Sequence, residues 1–163
     1  MSYIDIAYYS ALYGALPDPD FSRILWDAER LMDKYTTGVD NVRKLSVAFP
    51  TEEYAAESVR RCCAALINTM HQIEQAATAA TRARGYIETE NGLRGKIISS
   101  MSAGNESISY SANNSATMTD IDRAVSDPVA RENMLHKIIK DNLHGVTDAN
   151  EVNLLYMGPY PRR

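Results

Sequence analysis

The sequence is poor in cysteine, which limits both disulfide bonds and metal sites. Of its 163 residues only two are cysteines, Cys62 and Cys63, and they are adjacent in the chain. Adjacent side chains on a helix diverge by about 100°, so this pair does not easily reach disulfide geometry. We expect two reduced, packed thiols. The chain has no CxxC motif and no histidine at ligand spacing, so we expect no metal site and no cofactor.

Long apolar runs and a net basic charge are also missing. The apolar stretches are a few residues long, against the roughly 20 that a membrane helix needs, so we expect no membrane span. With 17 Lys and Arg against 21 Asp and Glu, the net charge is -4, which is not typical of a nucleic-acid binder. The N-terminus has neither the basic region nor the apolar run of a signal peptide, so we expect a cytoplasmic site of synthesis.

What remains is the composition of a folded domain, with 45% hydrophobic and 23% charged residues. The length favours a single domain over residues 1–163. We expect a helical core over about 3–84 and 117–145, a hairpin insertion over about 86–114 and a tail over 146–163.

Periodic apolar residues predict the helices. A short aromatic-rich helix should precede Gly14, and a second, capped by Asp18 or Asp20, should end near Gly38. Residues 39–50 have no sustained period and predict a connection with a marginal helical turn. The longest helix should begin at a Thr51 cap and run to Gly85, and helical pattern returns over 119–145 with a pause at Pro128.

The segment after Gly85 changes character. Residues 106–111 alternate polar and apolar, and Gly104-Asn105 is a turn signal, so we expect a β-hairpin here. Residues 146–163 are apolar but carry two prolines, which is typical of an extended tail that covers its own domain or binds a partner. The sequence predicts a mainly α fold: a small helical bundle with a protruding β-hairpin or extended loop and an extended C-terminal tail.

No residue pattern indicates catalysis. The three histidines, His71, His136 and His144, lie in helical pattern without a recognisable triad. Residues 92–96 are glycine-rich but lack the spacing of a phosphate-binding loop. We therefore expect a protein that is not an enzyme and that works as a component of an assembly.

Three blocks of sequence resemble the head-tail connector proteins, also called head-completion or adaptor proteins, of long-tailed bacteriophages and prophages. Residues 21–36 (FSRILWDAERLMDKYT) match the pattern F-x-R-x-x-W/E-x-A-x-x-L-x-D-x-Y-T, and residues 97–110 (IISSMSAGNESISY) match a Ser-rich segment of that family. The ending, with LHGVT at 143–147 and LLYMGPYP at 154–161, is also similar. The long Ala/Thr-rich end of the central helix and residues 84–94 depart from the family pattern.

The resemblance implies a structural virion protein of the neck region. Copies would form a ring of about twelve beneath the portal, which extends the DNA channel, seals the filled head and offers a platform to the next neck or tail protein. DNA would pass through without sequence-specific binding. The alternatives are a tail-completion or neck protein on the tail side, or a non-viral helical adaptor.

Two groups of residues are candidates for contacts in such a ring. We expect intersubunit or channel contacts from the hairpin, at Ile97, Ile98, Ile108 and Tyr110. We expect docking on the portal or an adjacent subunit from the tail, at Leu154, Leu155, Tyr156 and Tyr160. The alternatives are an intramolecular flap for the hairpin and, for the tail, a strip that seals its own helices.

Overall fold

The structure is a computed structural model that describes residues 2–83, 86–89, 92–95, 101–103, 106–108 and 119–161. For those of the described residues that lie between 82 and 118, only the backbone is described. It is mainly helical, as predicted. The helices are α1 (Ile6–Tyr13), α2 (Asp18–Thr36), α3 (Lys44–Val47), α4 (Glu53–Ala83), α5 (Asp120–Ser126) and α6 (Pro128–Leu143).

The backbone between α4 and α5 contains two antiparallel strand pairs. Strand β1 (Tyr86–Thr89) pairs with β2 (Gly92–Gly95), and β3 (Met101–Ala103) pairs with β4 (Glu106–Ile108). In the second pair Ala103 lies opposite Glu106 and Met101 lies opposite Ile108. The predicted turn at 104–105 lies outside the described residues.

The chain divides into two compact units. Unit 1 contains residues 1–71 and 132–163, and unit 2 contains residues 72–131. The predicted hairpin insertion lies wholly within unit 2, whereas the predicted tail lies within unit 1.

The core of unit 1 is built from the predicted helical stripes. Burying these side chains removes apolar surface from water, which is the main favourable term in folding. Both thiols, at Cys62 and Cys63, are fully buried as expected. The fully buried core residues of α2, α4 and α6 include Ala28, Met32, Val59, Leu66, Ile67, Ile139 and Leu143.

Two helix starts differ from the prediction. Pro17 is the N-cap of α2 and makes no side-chain bond, so neither Asp18 nor Asp20 caps that helix. At the start of α4 the Glu52 carboxylate, and not Thr51, accepts hydrogen bonds from the Tyr54 and Ala55 amides, at 3.1 and 2.7 Å. The Glu52 side chain caps the helix because it reaches the free amides of the first turn.

Candidate docking surface

The C-terminal tail folds back on unit 1 immediately after α6. Gly145 takes a φ of 76°, which is easy for glycine, and turns the chain out of the helix. Thr147 and Asn153 then form an isolated antiparallel bridge, and the Leu154 amide donates to the Val146 carbonyl at 2.9 Å. This short antiparallel pairing places Leu154 in the core, where it is fully buried.

A buried lysine forms hydrogen bonds to the backbone of the tail. The side chain of Lys44, on α3, is fully buried. Its Nζ donates to the carbonyls of Asn153 at 3.3 Å and of Leu154 at 3.1 Å, and also to the Tyr156 carbonyl. Burial lowers the pKa of this amine, and the nearby carboxylates of Asp148 and Asp40 act in the opposite direction. Lys44 therefore connects α3 to three backbone carbonyls of the tail.

Tyr160 attaches the end of the tail to two acidic residues. Its amide donates to Asp40 Oδ2 at 2.7 Å, and its hydroxyl donates to Asp148 Oδ2 at 2.7 Å. The Asn150 side chain donates to the same hydroxyl oxygen at 2.7 Å. Asp40 lies between α2 and α3, so the tail is fixed to a segment more than a hundred residues earlier in the chain.

Two loops with the same backbone pattern meet at this point. The first loop, residues 37–45, and the second loop, residues 147–155, each begin with a threonine that bridges the residue six positions later. In each loop the third residue donates its amide to a backbone carbonyl just beyond the end of the other loop. Val39 donates to the Met157 carbonyl at 3.1 Å, and Ala149 donates to the Ala48 carbonyl at 3.2 Å.

Two backbone segments approach each other so closely here that Gly38 leaves no room for a side chain. A Cβ on Gly38 would lie 2.6 Å from the Gly158 carbonyl oxygen, and a Cβ on Gly158 would overlap the Tyr156 ring. The first loop and the tail are thereby held in direct backbone contact.

Three exposed apolar side chains cover the outside of this junction, and we call them the tail patch. Val39 is 72% exposed, Tyr156 is 48% exposed and Met157 is 53% exposed. The Val39 amide donates to the Met157 carbonyl, so the backbones of these two residues are neighbours at the junction, and Tyr156 directly precedes Met157. Exposed apolar side chains that cluster are more informative than scattered ones, because clusters mark interaction sites.

The predicted tail residues are divided between core and surface. Leu154 is fully buried in the core of its own unit, so its side chain is not exposed for docking in this conformation. Leu155 is half-buried and packs against the same core. Tyr156 is exposed, and Tyr160 is half-buried with its hydroxyl bonded within the unit.

The predicted hairpin residues are described only in part. Ile97, Ile98 and Tyr110 lie outside the described residues. Ile108 ends strand β4, and its backbone is paired with that of Met101.

Sequence reasoning missed Lys44 and Val39. Both lie in the stretch that showed no helical period. The usable signal is the spacing that residues 37–45 share with residues 147–155, where a threonine is followed by a valine after five residues and a leucine after eight.

The described residues bring together no catalytic arrangement. Among them, no group of three His, Cys, Asp or Glu side chains is placed to hold a metal ion. His136 stacks on Tyr35, with ring centroids 4.4 Å apart. Burial raises the pKa of the Cys62 thiol to about 12, and that of Cys63 is also raised, so neither is an activated nucleophile. None of the described helices is both long and apolar enough to cross a membrane.

Comparison with protein-family models, with curated proteins and with solved structures gives no match.

Proposed function

We propose that this protein is a structural component of a bacteriophage neck, a head-tail connector whose copies form a ring between the portal and the tail. Its role is non-catalytic. It is made in the bacterial cytoplasm, and it extends the DNA channel, seals the filled head and presents a platform to the next neck or tail protein. The resemblance of residues 21–36, 97–110 and 143–161 to that family is the starting point.

The tail patch is the observation that supports this role most directly. Apolar side chains at Val39, Tyr156 and Met157 face solvent although the backbone beneath them is fixed by Lys44 and by paired amides. A rigid apolar surface binds a partner at low entropic cost, because little needs to be ordered on contact. We propose that the tail patch docks on the portal.

The hairpin is proposed to act between copies. An isolated two-stranded hairpin is marginally stable in water, and its open edges can pair with another chain. Pairing between neighbouring copies through Ile97, Ile98, Ile108 and Tyr110 would close the ring around the channel. A ring of weak contacts gains strength by multivalency. The net charge of -4 fits a channel wall along which DNA slides without binding.

Light scattering of the protein mixed with tail-less capsids that expose a portal tests the function. We expect saturable binding near twelve copies per capsid. A protein that never binds such capsids would contradict the connector role and favour a tail-side neck protein or a helical adaptor.

A matched pair of variants tests the docking surface. The triple substitution Val39→Ser, Tyr156→Ser and Met157→Ser should abolish capsid binding with only a small change of the melting temperature, because all three side chains are largely exposed. The control is Val129→Ser, which changes a side chain that is 66% exposed on α6 and should bind as the unmodified protein does. Equal binding by the two variants would remove the tail patch from the interface.

A further inference from the structure

A groove of about 940 Å³ runs along the solvent face of α2 and reaches the first loop. Trp26 lies at its wall and is 59% exposed, and the guanidinium of Arg30 lies 5.1 Å from the centre of the Trp26 ring. Arg43 lines the end of the groove at the first loop. Exposed tryptophan and arginine in one concave surface are the residue types that dominate protein interfaces.

Some charged side chains that line the groove have hydrogen-bond or ion-pair partners within the protein. Glu29 accepts hydrogen bonds from the Tyr3 amide and the Ser2 hydroxyl, both at 2.7 Å, and Asp33 accepts from the Tyr3 hydroxyl at 2.6 Å. Lys34 pairs with Glu132 at 2.8 Å.

Two cations of the groove have no such partner. Neither Arg30 nor Arg43 forms an ion pair with a described residue, although Asp27 also lines the groove. The groove therefore offers an aromatic wall and two guanidinium groups to an acidic, aromatic partner.

The first turn of α4 has the complementary character. Tyr54 is 76% exposed, the most exposed of the large apolar side chains among the described residues. Glu53 precedes it, is exposed and forms no ion pair with a described residue. The carboxylate of Glu52 is occupied as the helix cap. Glu53 and Tyr54 together form what we call the acidic-aromatic face.

The groove and the acidic-aromatic face point in different directions. On α2 the buried residues Ile24, Ala28 and Met32 lie opposite Trp26 and Arg30. On α4 the buried residues Ala56, Val59 and Cys63 lie opposite Tyr54 in the same way. Both surfaces face away from the core that the two helices share, so one copy cannot fill its own groove.

We propose that the α2 groove binds the acidic-aromatic face of a second copy of this chain. Tyr54 would lie against Trp26, and the Glu53 carboxylate would lie between Arg30 and Arg43. The contact joins two different surfaces, so each copy in a row of copies keeps one surface for the next copy. Such a head-to-tail contact forms a ring when the rotation between copies closes, and an open filament when it does not. This inference rests on the proposed ring function and adds a second subunit contact to the proposed hairpin pairing.

Cysteine cross-linking in solution tests the contact, because the native thiols are buried with raised pKa values and give little background. Cysteine is introduced at the groove rim by Asp27→Cys and beside the acidic-aromatic face by Thr51→Cys. A short bismaleimide is added at increasing protein concentration. The variant with both cysteines should give a ladder of dimers, trimers and larger species, whereas a mixture of the two single variants should stop at dimers.

Charge reversal in the variant with both cysteines tests whether Glu53, Arg30 and Arg43 form the contact. Glu53→Arg alone, or Arg30→Glu with Arg43→Glu, should reduce the cross-linked fraction about tenfold, because like charges then meet at the contact. Combining all three reversals should restore the ladder. Restoration also shows that the variants are folded.

Three results would overturn the proposal: no ladder at any concentration, a ladder that charge reversal leaves unchanged, or equal cross-linking when Lys140→Cys replaces Asp27→Cys. The outcome is separate from that of the capsid experiment. A missing ladder with intact capsid binding refutes this contact alone, and a ladder without capsid binding refutes the portal role alone.

Discussion

Asn41 and Glu151 have the same backbone conformation, with φ values of 59° and 61°, at equivalent positions of the two loops. Each is the fifth residue of its loop, and each donates its amide to the carbonyl of the second residue, Gly38 or Asp148, at 3.0 Å. The left-handed conformation costs a residue with a Cβ about 1–2 kcal/mol, although asparagine tolerates it better. Both loops are thus built on one local pattern, in spite of their different sequences.

The positive φ of Glu151 predicts that two substitutions at this position differ in stability. The free energy of unfolding of the Glu151→Gly variant should exceed that of the Glu151→Val variant by more than about 1 kcal/mol, because a β-branched side chain fits poorly at positive φ. Both substitutions remove the carboxylate, so its interactions cancel in the comparison. Urea unfolding at neutral pH measures the difference. Equal free energies of unfolding would show that the second loop changes its conformation freely.

The buried Lys44 amine predicts a loss of stability when its donors are removed. Lys44→Met keeps the length of the side chain but leaves three tail carbonyls without their donor, which should cost about 1–3 kcal/mol. Chemical unfolding measures this, and hydrogen exchange at the Val39 amide should accelerate because its acceptor is in the tail.

The control for this prediction is Lys137→Met, an exposed lysine on α6, which should change stability by less than about 0.5 kcal/mol. If Lys44→Met behaved as Lys137→Met in both measurements, Lys44 would not hold the tail.

Two tail residues that are two positions apart, Leu154 and Tyr156, should differ sharply in their effect on stability. Leu154→Ala creates a cavity in the core and should cost about 2–5 kcal/mol. Tyr156→Ala removes a side chain that is 48% exposed and should cost much less. Thermal unfolding of the two variants measures the contrast. A larger loss for Tyr156→Ala would mean that the tail is held mainly by its surface.

The hydrogen bond from Tyr8 to Glu57 predicts a decline of stability at alkaline pH. Burial, followed by the hydrogen bond to the Glu57 carboxylate at 2.8 Å, raises the pKa of Tyr8 from 10.0 to about 12. The unfolded chain loses this proton first, so the contribution is complete below pH 10 and is lost as the pH rises toward 12.

The comparison with Tyr8→Phe isolates this effect. The free energy of unfolding of the natural chain minus that of Tyr8→Phe should fall between pH 10 and 12. With Glu57→Gln in both proteins the fall should be smaller, because one cause of the raised pKa is gone. A difference that stays constant with pH would show that Tyr8 titrates alike in the folded and unfolded chains.

The amino-acid sequence by itself determined the helices and the composition of the core. Apolar residues at intervals of three and four placed Ile24, Ala28 and Met32 on one face of α2, and the same spacing placed Val59 and Leu66 on one face of α4. Such patterns are local, because a helix side chain faces the core whenever its neighbours one turn away do. The helix start at Pro128 is a local signal of the same kind.

Only the tertiary structure decided which tail residues are buried and which are exposed. Leu154 and Tyr156 both belong to an apolar stretch, and nothing in that stretch distinguishes the one in the core from the one at the surface. The distinction depends on Lys44 and Asp40, which lie more than a hundred residues away. The tail patch also combines Val39 with Met157, from segments that are distant in sequence. Long-range backbone hydrogen bonds and the close approach of Gly38 to Gly158 bring them together, and no local periodicity encodes such contacts.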